Sequence, residues 1–242
     1  MGGMGEKGTL EMFRIVAEAE CRRYRSDCSN TLKKLCLMLK EEGIVAQFTL
    51  VGSGARNMVT RNGNGPFDLD YNLEIIKAPK EYWNDLRQLK NTIRIFLDRA
   101  AAGLKCFSES QDSTSCLTAL LHFRDEPTVE FSFDVAILTR KRNGNLCRLI
   151  HNKNIWEYGQ DQYVWNEIPN SHDVAQKAQQ IKKRGLWLEV RTEYVRLKEM
   201  YLSRTWDKSH PSFICYIEAV NNVYNRLFIN EDRRGFYVEK FL

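Results

Sequence analysis

The stretch "VGSGARNMVTRNGNGPFDLDYNLEI", residues 51–75, decides how this chain is read. Its second half alternates strictly. On an extended backbone Leu69, Tyr71, Leu73 and Ile75 point one way and Asp68, Asp70, Asn72 and Glu74 the other. The pattern predicts a strand over "FDLDYNLEII" with one face in a core and one face charged. The first half ends the β-branched and aromatic run "IVAQFTLVG" (44–52), a second predicted strand, on a Gly-Ser turn, and leaves room for a helical turn or two in "SGARNMVT". Between turn and acids lies "RNGNGP" (61–66), a mobile lid or a surface loop, of which the surface loop is the favoured reading.

Upstream, Leu10, Phe13, Val16 and Ala17, then Leu32, Leu35, Cys36 and Leu39, recur at helical spacing, and the polar "SDCSN" between them suggests two helices ending at Gly43. The G-x-G-x-x-G match at Gly3, Gly5 and Gly8 has no preceding strand and is read as a flexible terminus. Downstream, "EYWNDLRQLKNTIRIFLDRAAAG" places Trp83, Leu86, Leu89, Ile93 and Phe96 or Leu97 on one helical face, with Gly103 as the stop. "STSCLTALLHF" and "TVEFSFDVAIL", joined by "RDEP", form a predicted hairpin. In its second strand Phe131, Phe133, Val135 and Ile137 share a face with Val129 and leave Glu130, Ser132 and Asp134 on the other. Beyond residue 150 the pattern turns mostly helical. One helix is capped by Ser171, a longer one carries the stripe Trp187, Val190, Tyr194, Leu197 and Tyr201, and a last one runs from about Pro211 to Phe228. The class is α+β, divided into an N-terminal helical segment (1–43), a mixed β-sheet core flanked by helices (44–150) and a helical C-terminal region (151–242).

Composition narrows the function classes. The chain has 242 residues, 43% of them hydrophobic, enough to bury a core. Its net charge of +5, with basic groups crowded into "TRKRNGNLCR" (139–148) and "QKAQQIKKRG" (176–185), suits an anionic partner such as a nucleotide or RNA. Seven cysteines without a C-x-x-C pair or zinc spacing read as reduced thiols. The apolar runs are shorter than the roughly 18 residues a membrane span needs, and no signal peptide opens the chain, so the cytoplasm is the expected compartment. The four histidines, His122, His151, His172 and His210, lack the spacing of a metal or triad site.

Three acids therefore occupy polar strand faces: Asp68, Asp70 and Asp134. If the two strands are neighbours, the carboxylates converge. Hard oxygen ligands of this kind suit Mg²⁺, which shares phosphate oxygens with a bound nucleotide. Two such ions about 4 Å apart stabilise the attacking and leaving oxygens of an in-line phosphoryl displacement. The Gly-Ser turn has a matching role, since glycine lets backbone N–H groups approach a phosphate and serine adds a hydroxyl donor at a helix start.

In this combination, Gly52-Ser53, then Asp68 and Asp70 one residue apart, then Asp134 on a later strand, the chain resembles the DNA polymerase beta-like nucleotidyltransferase superfamily. That superfamily includes poly(A) polymerases, tRNA and antibiotic nucleotidyltransferases, and the cyclic GMP-AMP and oligoadenylate synthases. The resemblance covers residues 44–138, assigns no subfamily, and implies a nucleotidyltransferase-type sheet. It implies that Gly52 and Ser53 hold the triphosphate of an NTP such as ATP and that Asp68 and Asp70 ligate Mg²⁺ or Mn²⁺. Asp134 would ligate the catalytic ion and help deprotonate the acceptor, and Arg56 and Lys198 would contact phosphate. The expected reaction transfers a nucleoside monophosphate to a hydroxyl, an RNA end or a second nucleotide, with release of pyrophosphate. A protein or small-molecule acceptor, or a non-catalytic nucleotide-binding module, are the competing expectations. Arg140, Lys141 and Arg142, directly after the Asp134 strand, are candidate RNA or nucleotide contacts.

Overall fold

A computed structural model describes residues 12–104, 107–122, 129–153, 160–169, 172–202 and 212–229. The Gly3, Gly5 and Gly8 match, Leu10, Cys106, the "RDEP" connection, Ser171, His210 and Pro211 lie outside the described residues. In chain order the elements are β1 (Phe13–Ile15), α1 (Glu18–Glu41), β2 (Val45–Val51), α2 (Gly52–Ala55), β3 (Thr60–Asn62), β4 (Phe67–Lys77), α3 (Lys80–Asn84), α4 (Leu86–Ala101), β5 (Phe107–Asp112) and β6 (Leu117–His122). They continue with β7 (Val129–Arg140), β8 (Leu146–Asn152), β9 (Gln162–Glu167), α5 (His172–Lys183), α6 (Trp187–Leu202) and α7 (Ser212–Tyr224), which ends in a π-helical turn, Asn225–Ile229. The chain clusters into two compact units, one of Val16–Pro169 and one of Asn170–Leu242 with Met1–Ile15.

The first unit is built on a mixed sheet in the order β2-β4-β7-β6-β5, with β8 on β7 and β9 on β8. Among the described strand pairs of this sheet, only β4–β7 is parallel. Alternation sets the faces, as expected: Leu69, Tyr71, Leu73 and Ile75 of β4 and Phe131, Phe133, Val135 and Ile137 of β7 are buried. They pack with Leu32, Leu35 and Leu39 of α1 and Leu89, Ile93 and Leu97 of α4 in a single core. Burying each such side chain contributes roughly 1.5–3 kcal/mol. This apolar inventory locks the register, because a slip of one residue would drive the carboxylates of β4 into the core.

Several local readings change. Phe13, Val16 and Ala17, expected on a first helix, lie outside any helix: Phe13–Ile15 is the strand β1, and α1 begins only at Glu18. One continuous helix, α1, runs through "SDCSN" in place of two. Ser26 and Asn30 ride on its exposed side, while Cys28 continues the buried stripe of Cys21, Tyr24, Thr31, Leu35 and Leu39, so packing overrides the polar break. It stops at Gly43, whose φ of +74° allows the N–H groups of Gly43 and Ile44 to cap the carbonyls of Lys40 and Leu39. The helix expected from Glu81 to Gly103 is interrupted at Asp85, an extended residue whose carboxylate accepts the N–H of Gln88 and starts α4 afresh. The sheet also runs past residue 150 through β9, where helices were expected, and β5, a polar segment, forms the opposite edge.

In the second unit α7 packs against α5 and α6, with Cys215, Ala219, Val220 and Val223 buried along it. The α6 stripe buries Val190, Tyr194 and Leu197 as its spacing predicts. The six described cysteines are free, and no described helix is long and apolar enough to cross a membrane.

Candidate active site

β4 and β7 run side by side with Asp70 opposite Asp134, and Asp68 precedes Asp70 on the same face. One carboxylate oxygen from each of Asp68, Asp70 and Asp134 lies within 4.8 Å of the others. The convergence that the sequence made conditional on neighbouring strands is thus present. Asp68 is exposed, while Asp70 and Asp134 are half-buried.

Crowding three like charges on a half-buried surface has an electrostatic cost. Burial, and then the charges of Asp68 and Asp134, push the Asp70 carboxyl up from its ordinary 3.8 to about 6, against the pull of Arg148 and Arg56. Asp134 is also raised, first by burial and then by Asp68, while hydrogen bonds from Thr118 and Cys116 hold it back. Oxygen-only donors that resist carrying their full charge fit a hard divalent cation, whose charge would relieve that repulsion.

The Gly-Ser turn abuts these acids. Val51, the last residue of β2, is opposite Asp70, and the chain leaves the strand through Gly52 at a φ of +61°. A Cβ on Gly52 would overlap Oδ2 of Asp70 and lie 3.1 Å from its Cγ, so only glycine allows the turn and the carboxylate to coexist. The carbonyl of Ser53 accepts the N–H groups of Arg56 and Met58, which closes the short turn of α2. Gly54 is wedged against Leu50 and Leu69, where a Cβ would come within 2.9 Å and 2.8 Å of their methyl carbons, and its carbonyl takes the Arg25 guanidinium at 2.7 Å. The turn is therefore fixed to β2, β4 and α1.

No family model matches the chain, and no curated protein matches its sequence. Solved structures do. The Vibrio cholerae DncV cyclic AMP-GMP synthase, in complex with the linear intermediate 5′ pppA(3′,5′)pG, superposes with a TM-score of 0.54 at 9% identity, over 86% of this chain and 68% of that one. The Vibrio cholerae di-nucleotide cyclase DncV in complex with ATP, GTP and 5MTHFGLU2 gives 0.56 at 9% identity, over 86% and 69%. The fold is a nucleotidyltransferase fold. A third similar structure, the Bradyrhizobium diazoefficiens CD-NTase CdnG in complex with GTP, gives 0.47 at 17% identity, over 83% of this chain and 63% of that one. The chain thus spans about two thirds of the length of these proteins.

On this nucleotidyltransferase sheet the structure brings Asp68, Asp70, Asp134, Gly52 and Ser53 together, with Arg56 close enough to act on the charge of Asp70. Lys198 belongs to the other unit, where it is 8% exposed and its ammonium lies 5.0 Å from the Phe13 ring centroid and 5.3 Å from that of Tyr194. In the basic loop, Arg140 is paired with Glu74 at 3.1 Å and Lys141 with Glu167 at 2.7 Å. Arg140 stands six residues along β7 from Asp134, about 20 Å at strand spacing, so the loop does not border the acids. Glu130, placed by the sequence on the polar face with Asp134, accepts the hydroxyl of Tyr24.

Arg148, Thr118 and Cys116 were not anticipated at the site. Arg148 is the last residue of the basic stretch and faces the acids only because β8 pairs with β7, with Arg148 opposite Leu138. Thr118 and Cys116 alternate with the buried Leu117 and Ala119, so they project on the side of Asp134. That alternation is a sequence signal for two polar residues sharing a face with the acids.

Proposed function

We propose that this protein is a nucleotidyltransferase that uses a divalent cation, Mg²⁺ or Mn²⁺, to transfer a nucleoside monophosphate from an NTP to a hydroxyl acceptor. The observation that carries this is the approach of three carboxylates within 4.8 Å beside a turn where only glycine fits. Asp68 and Asp70 would hold the metal with Asp134. A divalent cation bound there supplies positive charge for the transferred phosphoryl group and favours ionisation of the acceptor hydroxyl. The backbone of Gly52 and the hydroxyl of Ser53 hold and orient the triphosphate, with Arg56 as a cationic contact. Asp134 receives the proton of the acceptor hydroxyl as its oxygen bonds to the α-phosphorus. The bond from that phosphorus to the bridging oxygen breaks, and the electron pair leaves with pyrophosphate.

For the acceptor we favour a second nucleotide over an RNA end. The DncV structure that shares the fold holds a linear intermediate of two joined nucleotides, and two of the three loop cations proposed for RNA, Arg140 and Lys141, are paired with Glu74 and Glu167. The test is incubation of the protein with each labelled NTP, alone and in pairs, with Mg²⁺ or Mn²⁺. Pyrophosphate and a dinucleotide product are expected from wild type and not from Asp134→Asn. Pyrophosphate formed only when RNA is added would overturn the nucleotide acceptor, and turnover unchanged in Asp134→Asn would overturn the mechanism.

A further inference from the structure

Among the described residues, Asp134 alone of the three acids takes a side-chain hydrogen bond from its own sheet. β6 runs antiparallel to β7 with Thr118 opposite Asp134, and the Thr118 hydroxyl donates to Oδ1 of Asp134 at 2.5 Å. Behind Thr118 the contacts continue into the fold. The Cys116 thiol lies 3.8 Å from the Thr118 hydroxyl, and Ser113 Oγ lies 3.0 Å from that thiol. Ser113 and Cys116 also close their turn on each other through Ser113 Oγ to the carbonyl of Cys116 at 3.0 Å and the Cys116 N–H to Ser113 Oγ at 3.2 Å. The carbonyl of Ser113 in turn accepts the ammonium of Lys90 at 2.8 Å, a lysine only 1% exposed on α4. The hydroxyl that reaches Asp134 is thus held by an anchored turn.

An aspartate carboxylate rotates about a broad terminal torsion. Beside Asp68 and Asp70, repulsion would swing Asp134 outward, away from the arrangement that a shared cation requires. A directed donor opposes that rotation. We propose that Thr118 is a positioning residue, whose hydroxyl fixes the Asp134 carboxylate in the orientation that converges with Asp68 and Asp70 on a common divalent cation. This rests on the reading of the three acids as a metal centre. Donors to metal-binding groups are part of such sites, and their removal costs about ten- to a hundredfold in metal affinity or activity.

The experiment is direct titration of the full chain with Mn²⁺, followed by electron paramagnetic resonance, for wild type, Thr118→Val, Thr118→Ala and Thr118→Ser. Valine keeps the β-branched shape and loses only the hydroxyl. Serine keeps the hydroxyl. Thr118→Val is expected to weaken Mn²⁺ binding by about tenfold or more, Thr118→Ser to restore it, and the NTP KM at saturating metal to stay at the wild-type value. If Thr118→Val does not fold, the Ala and Ser variants decide, since they differ by the hydroxyl alone. Equal Mn²⁺ affinity in wild type and the hydroxyl-less variants would overturn the positioning role while leaving the metal centre intact. Absence of Mn²⁺ binding by wild type would overturn both.

Discussion

Replacing Asp70 by Asn is expected to stabilise the metal-free protein while abolishing turnover. Burial and the charges of Asp68 and Asp134 raise the Asp70 carboxyl from 3.8 to about 6 in the folded state. A carboxyl raised on folding binds its proton more tightly in the folded chain, so its contribution is complete below about 3.8 and is lost as the pH rises through about 6. At about 1.4 kcal/mol per pH unit, the charged form at pH 7.5 costs on the order of 3 kcal/mol. Asn has nearly the same shape and no charge to desolvate. With EDTA present at pH 7.5, urea unfolding is expected to show Asp70→Asn more stable by roughly 1–3 kcal/mol, and the advantage should shrink toward zero by about pH 4, where folded Asp70 is already protonated. Mn²⁺ at a thousand times its Kd reverses the order, because it adds about 4.1 kcal/mol to wild type and little to a chain that has lost a ligand. An Asn variant no more stable than wild type at pH 7.5 in EDTA, or an advantage that does not change with pH, would refute the electrostatic account.

Three further outcomes follow from the same geometry. Gly52→Ala places a methyl group on the Asp70 carboxylate at a backbone conformation of φ +61°, so both turnover and stability should fall, the latter by roughly 1–3 kcal/mol in thermal melting. Asp68→Asn removes one of the charges acting on Asp70, and the Asp70 titration midpoint followed by carboxyl ¹³C NMR should move down from about 6; an unmoved midpoint would refute a contribution from Asp68 and leave burial and Asp134 as its causes. Lys90→Ala leaves Asp112, its partner at 2.6 Å, with only the His151 ring nitrogen at 3.0 Å. The loss of that buried ammonium should lower the urea midpoint by the equivalent of about 3 kcal/mol.

How much of this was legible depended on how local each feature is. β4 and β7 announce themselves by a period of two, and their charged and apolar faces followed without knowledge of any partner. α1 and α4 were visible as stripes, but their limits were not. Whether "SDCSN" breaks a helix depends on whether Cys28 finds a core to enter, and it does, at 1% exposure. At Asp85 the opposite happens: the apolar spacing of Trp83, Leu86 and Leu89 runs straight across a residue that the structure uses as a cap. β5, "FSESQD", lacks the apolar alternation of a strand because it is an edge whose pairing with β6 is interrupted by a register shift.

The site itself divides along the same line. Sixty-four positions separate Asp70 from Asp134, and nothing local to either sets them side by side. Their pairing is fixed by the apolar faces on the far side of the same strands, since Tyr71 must meet Val135 and Leu69 must meet Phe133 for the core to close. The carboxylates are thus brought together by hydrophobic burial behind them, against an electrostatic cost that Asp70 displays in its raised proton affinity. Once that register is granted, Thr118 and Arg148 become readable too. Each is a polar residue in an alternating strand whose other face is buried, and each acquires meaning only from the strand beside it. The core behind the strands maintains this acid cluster at an electrostatic cost, and a divalent cation bound between the carboxylates would offset their repulsion. On this reasoning the metal-free protein should be less stable than its metal-bound form at neutral pH, and the difference should vanish in Asp70→Asn.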